Sequence, residues 1–128
     1  MAYNILVVDD SKIIRSVIAK TLTMAGIPVN ELYEAENGKE GLAALEANRV
    51  DIVLADINMP EMSGIEMVQK MSDNGQLESV PVVIVSTEGS KTRIEELRAK
   101  GVSGYIRKPF TPEVVKEVLE NIMGKAKD

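Results

Sequence analysis

The strongest constraint in this sequence is a strict alternation of two kinds of segment. Five short strand-like runs (Ile5–Val8, Glu31–Ala35, Asp51–Asp56, Pro81–Ser86 and Gly104–Arg107) are separated by longer stretches with helical spacing. After the first run, apolar residues recur at Ile13, Ile14, Val17, Ile18 and Leu22, and Gly26 ends that helix. Asn37-Gly38-Lys39-Glu40 and Ser63-Gly64-Ile65-Glu66 both read as capping boxes. The first opens a helix through Leu42 and Leu45, the second a helix through Met67, Val68 and Met71. A further helix from about Ser90 turns Ile94 and Leu97 inward and closes at Gly101. Thr111 caps the last helix with Pro112 at its first position, and Val114, Val115, Val118, Leu119 and Ile122 form its expected buried stripe. Alternating β and α elements imply a doubly wound α/β fold: a five-stranded parallel sheet covered by five helices on both faces. Pro81–Ser86, apolar and β-branched almost throughout, suits a strand buried on both faces.

A chain of 128 residues is one domain's worth. It contains 0 Cys and no His. Those absences exclude a Ser-His-Asp triad, a cysteine nucleophile, a histidine general base and a zinc finger. Any metal is expected to sit on oxygen ligands, which favours a hard cation such as magnesium or calcium. A net charge of −5 argues against nucleic-acid or membrane-surface binding. No apolar run approaches the roughly 20 residues of a membrane span. MAYNILVVDDSKIIR makes a poor signal peptide, so the expected location is cytoplasmic.

In a parallel sheet the ligand site lies beyond the carboxyl ends of the strands. The residues there are chemically distinctive. The first strand ends in Asp9 and Asp10, the third in Asp56, the fourth in Ser86 and Thr87, and the fifth is followed by Lys108 and Pro109. If the first and third strands are neighbours, three carboxylates meet in one cleft. Two unit charges 4 Å apart repel by about 4 kcal/mol at an effective dielectric near 20. A divalent cation and Lys108 are the natural counter-charges.

The segments VVDDSKIIR, DIVLADINMPEMSG, VVIVSTEG and GYIRKPF resemble the receiver domains of bacterial response regulators, of the chemotaxis CheY type. The resemblance runs along essentially the whole chain, with its motifs in the family's order. It implies the flavodoxin-like strand order 2-1-3-4-5 known for that family. It implies a receiver domain over residues 1–124 and a short tail, 125–128, with no effector domain. It also implies roles for individual residues. Asp56 resembles the phosphoacceptor. Asp9, Asp10, Asp56 and the main-chain carbonyl of Asn58 resemble the magnesium ligands, with Asp10 the more direct of the acidic pair. Ser86 and Lys108 resemble the phosphoryl-contacting pair, with Lys108 joined to Pro109 through a cis bond. Tyr105 and Thr87 resemble switch positions, and Gly64 permits the turn after the acidic loop. Lys91, Ile94, Arg98 and Arg107 fall on the family's output surface.

The function implied is a single-domain switch in a two-component phosphorelay. A sensor histidine kinase or histidine phosphotransfer protein is the implied donor. A downstream protein, such as a motor switch or a relay component, is the implied target. Such a chain assists only its own phosphorylation and dephosphorylation and is not otherwise an enzyme. Three features depart from the commonest pattern: Thr87 stands where the family usually has Ala, Arg107 replaces a more usual apolar residue, and Ser86 stands in place of Thr, a common family variant. An aspartate-nucleophile phosphatase also places Asp at a parallel strand end, but Asp56-Ile57-Asn58 lacks the second Asp of its D-x-D motif. A flavin-binding domain would need a phosphate loop where Asp9-Asp10 would repel the ligand.

Overall fold

The computed structural model describes residues 2–87 and 91–123. Its elements are β1 (Tyr3–Val8), α1 (Lys12–Met24), β2 (Val29–Ala35), α2 (Gly38–Ala47), β3 (Ile52–Ala55) and α3 (Gly64–Asp73), followed by α4 (Gln76–Ser79), β4 (Val82–Ser86), α5 (Lys91–Lys100), β5 (Gly104–Arg107) and α6 (Pro112–Met123). The strands form one parallel sheet in the order β2-β1-β3-β4-β5. The doubly wound α/β expectation holds, with the addition of α4. The expected start of α5 at Ser90, and the tail 125–128 with Gly124 before it, lie outside the described residues.

Alternation along the strands builds two cores. Leu6, Val8, Val53, Ala55, Val82 and Ile84 face one side and pack with Met67, Val68, Met71 and Leu97 from α3 and α5. Ile5, Val7, Ile52, Leu54, Val83 and Val85 face the other and pack with Ile18, Leu22, Val115 and Leu119 from α1 and α6. The central strands β1, β3 and β4 are thus apolar on both faces, as a parallel sheet covered by helices requires. The edge strand β2 carries Glu31 and Glu34 exposed.

Local chemistry sets the helix ends. Ser11 accepts from the Ile14 N–H at 3.2 Å and caps α1. At α3 the full capping box forms: Ser63 accepts from the Glu66 N–H, and Glu66 accepts from the Ser63 N–H. At α2 only half of the expected box forms. Asn37 accepts from the Glu40 N–H at 2.8 Å, while Glu40 reaches past Asn37 to accept from the Glu36 N–H at 3.0 Å. Thr111 caps α6 through the Val114 N–H at 3.2 Å.

The expected stripe of α6 needs one correction, and the apolar positions of α1 divide between surface and core. In α1, Ile13 is 75% and Val17 43% exposed, and the buried side is Arg15, Ile18, Thr21 and Leu22. In α6, Val114 is 43% exposed, while Val115 and Leu119 are buried.

Candidate functional site

Four strand ends build the site, those of β1, β3, β4 and β5. β1 hands the chain to Asp9, whose N–H bonds the Ala35 carbonyl at 3.0 Å. β3 hands it to Asp56, whose N–H bonds the Val8 carbonyl at 2.9 Å. The pairing of β1 with β3 sets the two acids side by side. Ligand oxygens of Asp9, Asp10 and Asp56 all lie within 4.8 Å of one another. The expected convergence of three carboxylates is therefore present.

Each carboxylate has a different environment. Asp9 is buried, accepts from the Ser11 N–H at 2.9 Å, and meets the Lys108 ammonium at 3.1 Å. Asp10 is exposed. Asp56 is half-buried, accepts from the Ile57 N–H at 2.7 Å, and lies 3.7 Å from the Lys108 ammonium. Burial pushes the Asp56 carboxyl above its ordinary range, with the nearby Asp9 charge adding to it. Lys108, the Ile57 N–H and the Ser86 hydroxyl oppose that rise without cancelling it. The donor set is hard oxygen throughout, which fits a magnesium-type cation.

β4 delivers Ser86, which is 1% exposed and hydrogen-bonded to Asp56. β5 delivers Lys108, whose own N–H bonds the Ser86 carbonyl at 2.9 Å. The Lys108–Pro109 bond is cis, as expected. Thr87 is exposed and lines a shallow apolar groove with Ile14, Val17, Lys108, Pro109 and Phe110.

The loop carrying Asn58 is fastened at both ends. The Gly38 N–H bonds the Met62 carbonyl at 2.9 Å, and the Gly64 N–H bonds the Ile57 carbonyl at 2.8 Å. A Cβ on Gly64 would run into the Asp56 carbonyl oxygen, well inside van der Waals contact. Glu61, at φ 60, takes the left-handed turn in this loop. Asn58 itself is exposed. Tyr105 is partly buried and packs against the core on the α3–α5 side of the sheet. Lys91, Arg98 and Arg107 are exposed, and Ile94 is partly so.

One residue at the site escaped sequence reasoning. Arg15 is 8% exposed, and its guanidinium donates to the Asp9 main-chain carbonyl at 2.6 Å and to Glu34 at 2.8 Å. The signal was present in the spacing Arg15, Ile18, Leu22, but a periodicity counted on apolar residues alone passes over a buried cation.

Strand order, acidic triad and strand-end lysine together define a class, and the sequence comparison agrees. The chain matches the response regulator receiver domain over residues 5–120 and belongs to that family. It is 43% identical over 122 residues to a chemotaxis protein CheY homolog of Campylobacter jejuni, covering 94% of this chain and 92% of that protein. It is 40% identical over 122 residues to chemotaxis protein CheY1 of Helicobacter pylori, covering 94% of this chain and 97% of that one. The solved structure of Vibrio cholerae chemotaxis protein CheY4 superposes with a TM-score of 0.84 at 34% identity, covering 96% of this chain and 100% of that chain. Family membership removes the ground for the phosphatase reading. Among the described residues no helix is long and apolar enough to cross a membrane.

Proposed function

We propose that residues 1–124 form a phosphorylation switch that accepts a phosphoryl group on Asp56 from a phosphohistidine of a separate protein. The observation that carries this reading is the meeting of Asp9, Asp10 and Asp56 with Lys108 at the carboxyl edge of the sheet. With no histidine of its own, the chain needs an external donor, a sensor histidine kinase or a histidine phosphotransfer protein.

In the transfer, an Asp56 carboxylate oxygen bonds to phosphorus while the P–N bond to the donor imidazole breaks. The imidazole leaves with the electron pair. Little covalent activation is required, because phosphoryl transfer depends on positioning and on neutralising charge. Asp9, Asp10, Asp56 and the Asn58 carbonyl would hold magnesium, which supplies positive charge to the phosphoryl oxygens. Lys108 adds a second positive charge, and Ser86 turns its hydroxyl from the carboxylate to a phosphoryl oxygen. The output is a change of surface, read by a downstream protein at α5 and β5 through Lys91, Ile94, Arg98, Tyr105 and Arg107. The phosphoacceptor belongs to the chain itself, so the turnover expected is that of its own acyl phosphate.

Acetyl phosphate with magnesium tests this reading. One phosphoryl group should be added, it should be lost in alkali as an acyl phosphate, and Asp56→Asn should not acquire it. A phosphate that persists in that variant places the chemistry on another residue.

A further inference from the structure

We propose that Arg15 is a positioning residue for the acidic cleft, acting through the Asp9 main-chain carbonyl and itself oriented by Glu34. The inference rests on the reading of Asp9, Asp10 and Asp56 as a metal site. Arg15 belongs to α1, Glu34 to β2 and Asp9 to the end of β1, so one guanidinium ties three elements together. Its Nη1 lies 2.6 Å from the Asp9 carbonyl oxygen, and its Nε lies 2.8 Å from Glu34. That carbonyl belongs to the peptide linking Asp9 to Asp10. Holding it fixes the plane of the peptide and with it the direction in which Asp10 leaves the backbone.

Among the described residues, no side-chain hydrogen bond or ion pair restrains Asp10 directly. Asp9 is already held by Ser11 and Lys108, whereas Asp10 is exposed. A ligand carboxylate on an unrestrained loop would lose conformational freedom on binding a cation. A buried charge-assisted hydrogen bond reduces that loss by ordering the loop beforehand. The ion pair with Glu34 offsets the guanidinium charge, so the effect on the cleft is mainly geometric. Burying Arg15 solely to fasten α1 to β2 would need only the Glu34 contact, which is half-exposed at its carboxylate. The bond to the Asp9 carbonyl is the one aimed at the site.

The test is a calorimetric magnesium titration of the wild type, Arg15→Met, Arg15→Lys and Glu34→Ala, with amide spectra of each metal-free protein. Groups that orient metal ligands typically change affinity by about 10–100-fold. Arg15→Met should weaken magnesium binding by about tenfold and displace the Asp10 amide resonance before any metal is added. Arg15→Lys should recover part of the affinity, because an ammonium keeps one of the two contacts. Glu34→Ala, on an exposed edge strand, should fold normally and weaken binding by a smaller factor. It decides the matter if Arg15→Met fails to fold. Unchanged magnesium affinity in the folded variants, whatever their melting temperatures, overturns the proposal. A wild type that fails to bind magnesium overturns the metal-site reading itself, and the wild-type titration alone reports that outcome.

Discussion

Lys108 and Asp9 stand 99 positions apart in the sequence and meet with nitrogen and oxygen 3.1 Å apart. The same ammonium stands 3.7 Å from Asp56. It therefore serves two carboxylates at once, and any divalent cation entering the cleft competes with it for both.

The first prediction follows from that competition. Removing one partner of a buried ion pair costs about 3–5 kcal/mol when the other charge is left behind. Lys108→Met should lower metal-free stability by an amount near the lower end of that range. Magnesium should nevertheless bind more tightly, because the carboxylates have lost their resident cation. Denaturant melts and calorimetry on one preparation check both signs. Weaker magnesium binding in Lys108→Met would show that Lys108 organises the acids and does not compete for them.

The second concerns pH. Burial raises the Asp56 carboxyl, so the folded state favours its protonated form more than the unfolded chain does. Its favourable contribution is full below the ordinary aspartate range and is lost as pH rises through the folded value. Near neutral pH in chelator, Asp56→Asn should therefore be more stable than the wild type. The advantage should shrink as the pH falls through the raised folded value and be gone below the ordinary aspartate range. Urea midpoints at several pH values measure it, and a variant that is no more stable at neutral pH would contradict the sign.

Gly64→Ala should be among the most damaging single-methyl changes in the molecule. The added Cβ meets backbone of Asp56 and Ile57, which cannot swing aside as a side chain can. Overpacking typically costs about 1–3 kcal/mol, and rigid neighbours put this position at the upper end or beyond. Thermal melts measure the cost, and loss of the Gly64–Ile57 hydrogen bond should appear as faster amide exchange in the loop.

Two apolar positions on α1 should behave oppositely. Leu22→Ala should cost about 2–5 kcal/mol, because the side chain is buried. Ile13→Ala should stay within about 0.5 kcal/mol, because Ile13 is exposed. Paired urea titrations separate them.

The last prediction follows the phosphoryl signal outward. Beryllofluoride, standing in for the phosphoryl group, should shift amide resonances along α5 and β5. Ser86→Ala should blunt those remote shifts and leave magnesium affinity nearly intact. Remote shifts of full size in Ser86→Ala would remove Ser86 from the route.

The alternation of segments was legible because a parallel sheet needs apolar strands, and its strand ends then declare themselves by a change to Asp, Ser and Lys. Asp9, Asp56 and Lys108 could be found that way. The strand order could not, since alternation alone leaves several windings open, and it came from the family motifs. The buried face of α1 is not marked by apolar spacing alone, for a physical reason. Thr21 is buried because its hydroxyl bonds the Val17 carbonyl at 2.7 Å, and Arg15 because it bonds Asp9 and Glu34. Polar residues satisfied in this way occupy core positions that apolar counting awards to their neighbours. The short α4 left no periodic signal in its four residues, Gln76–Ser79. Leu77 within it fills the space against Gly101, a tertiary contact no local pattern encodes.

The main-chain bond from Lys108 to Ser86 has a consequence for selectivity. The hydroxyl and the ammonium stem from neighbouring strands whose backbones are joined at the site, so the separation of their attachment points is set by the sheet. On the proposed reading, an anion long enough to reach both groups meets a preset span, whereas a small monovalent anion held by the ammonium should gain only one of the two contacts.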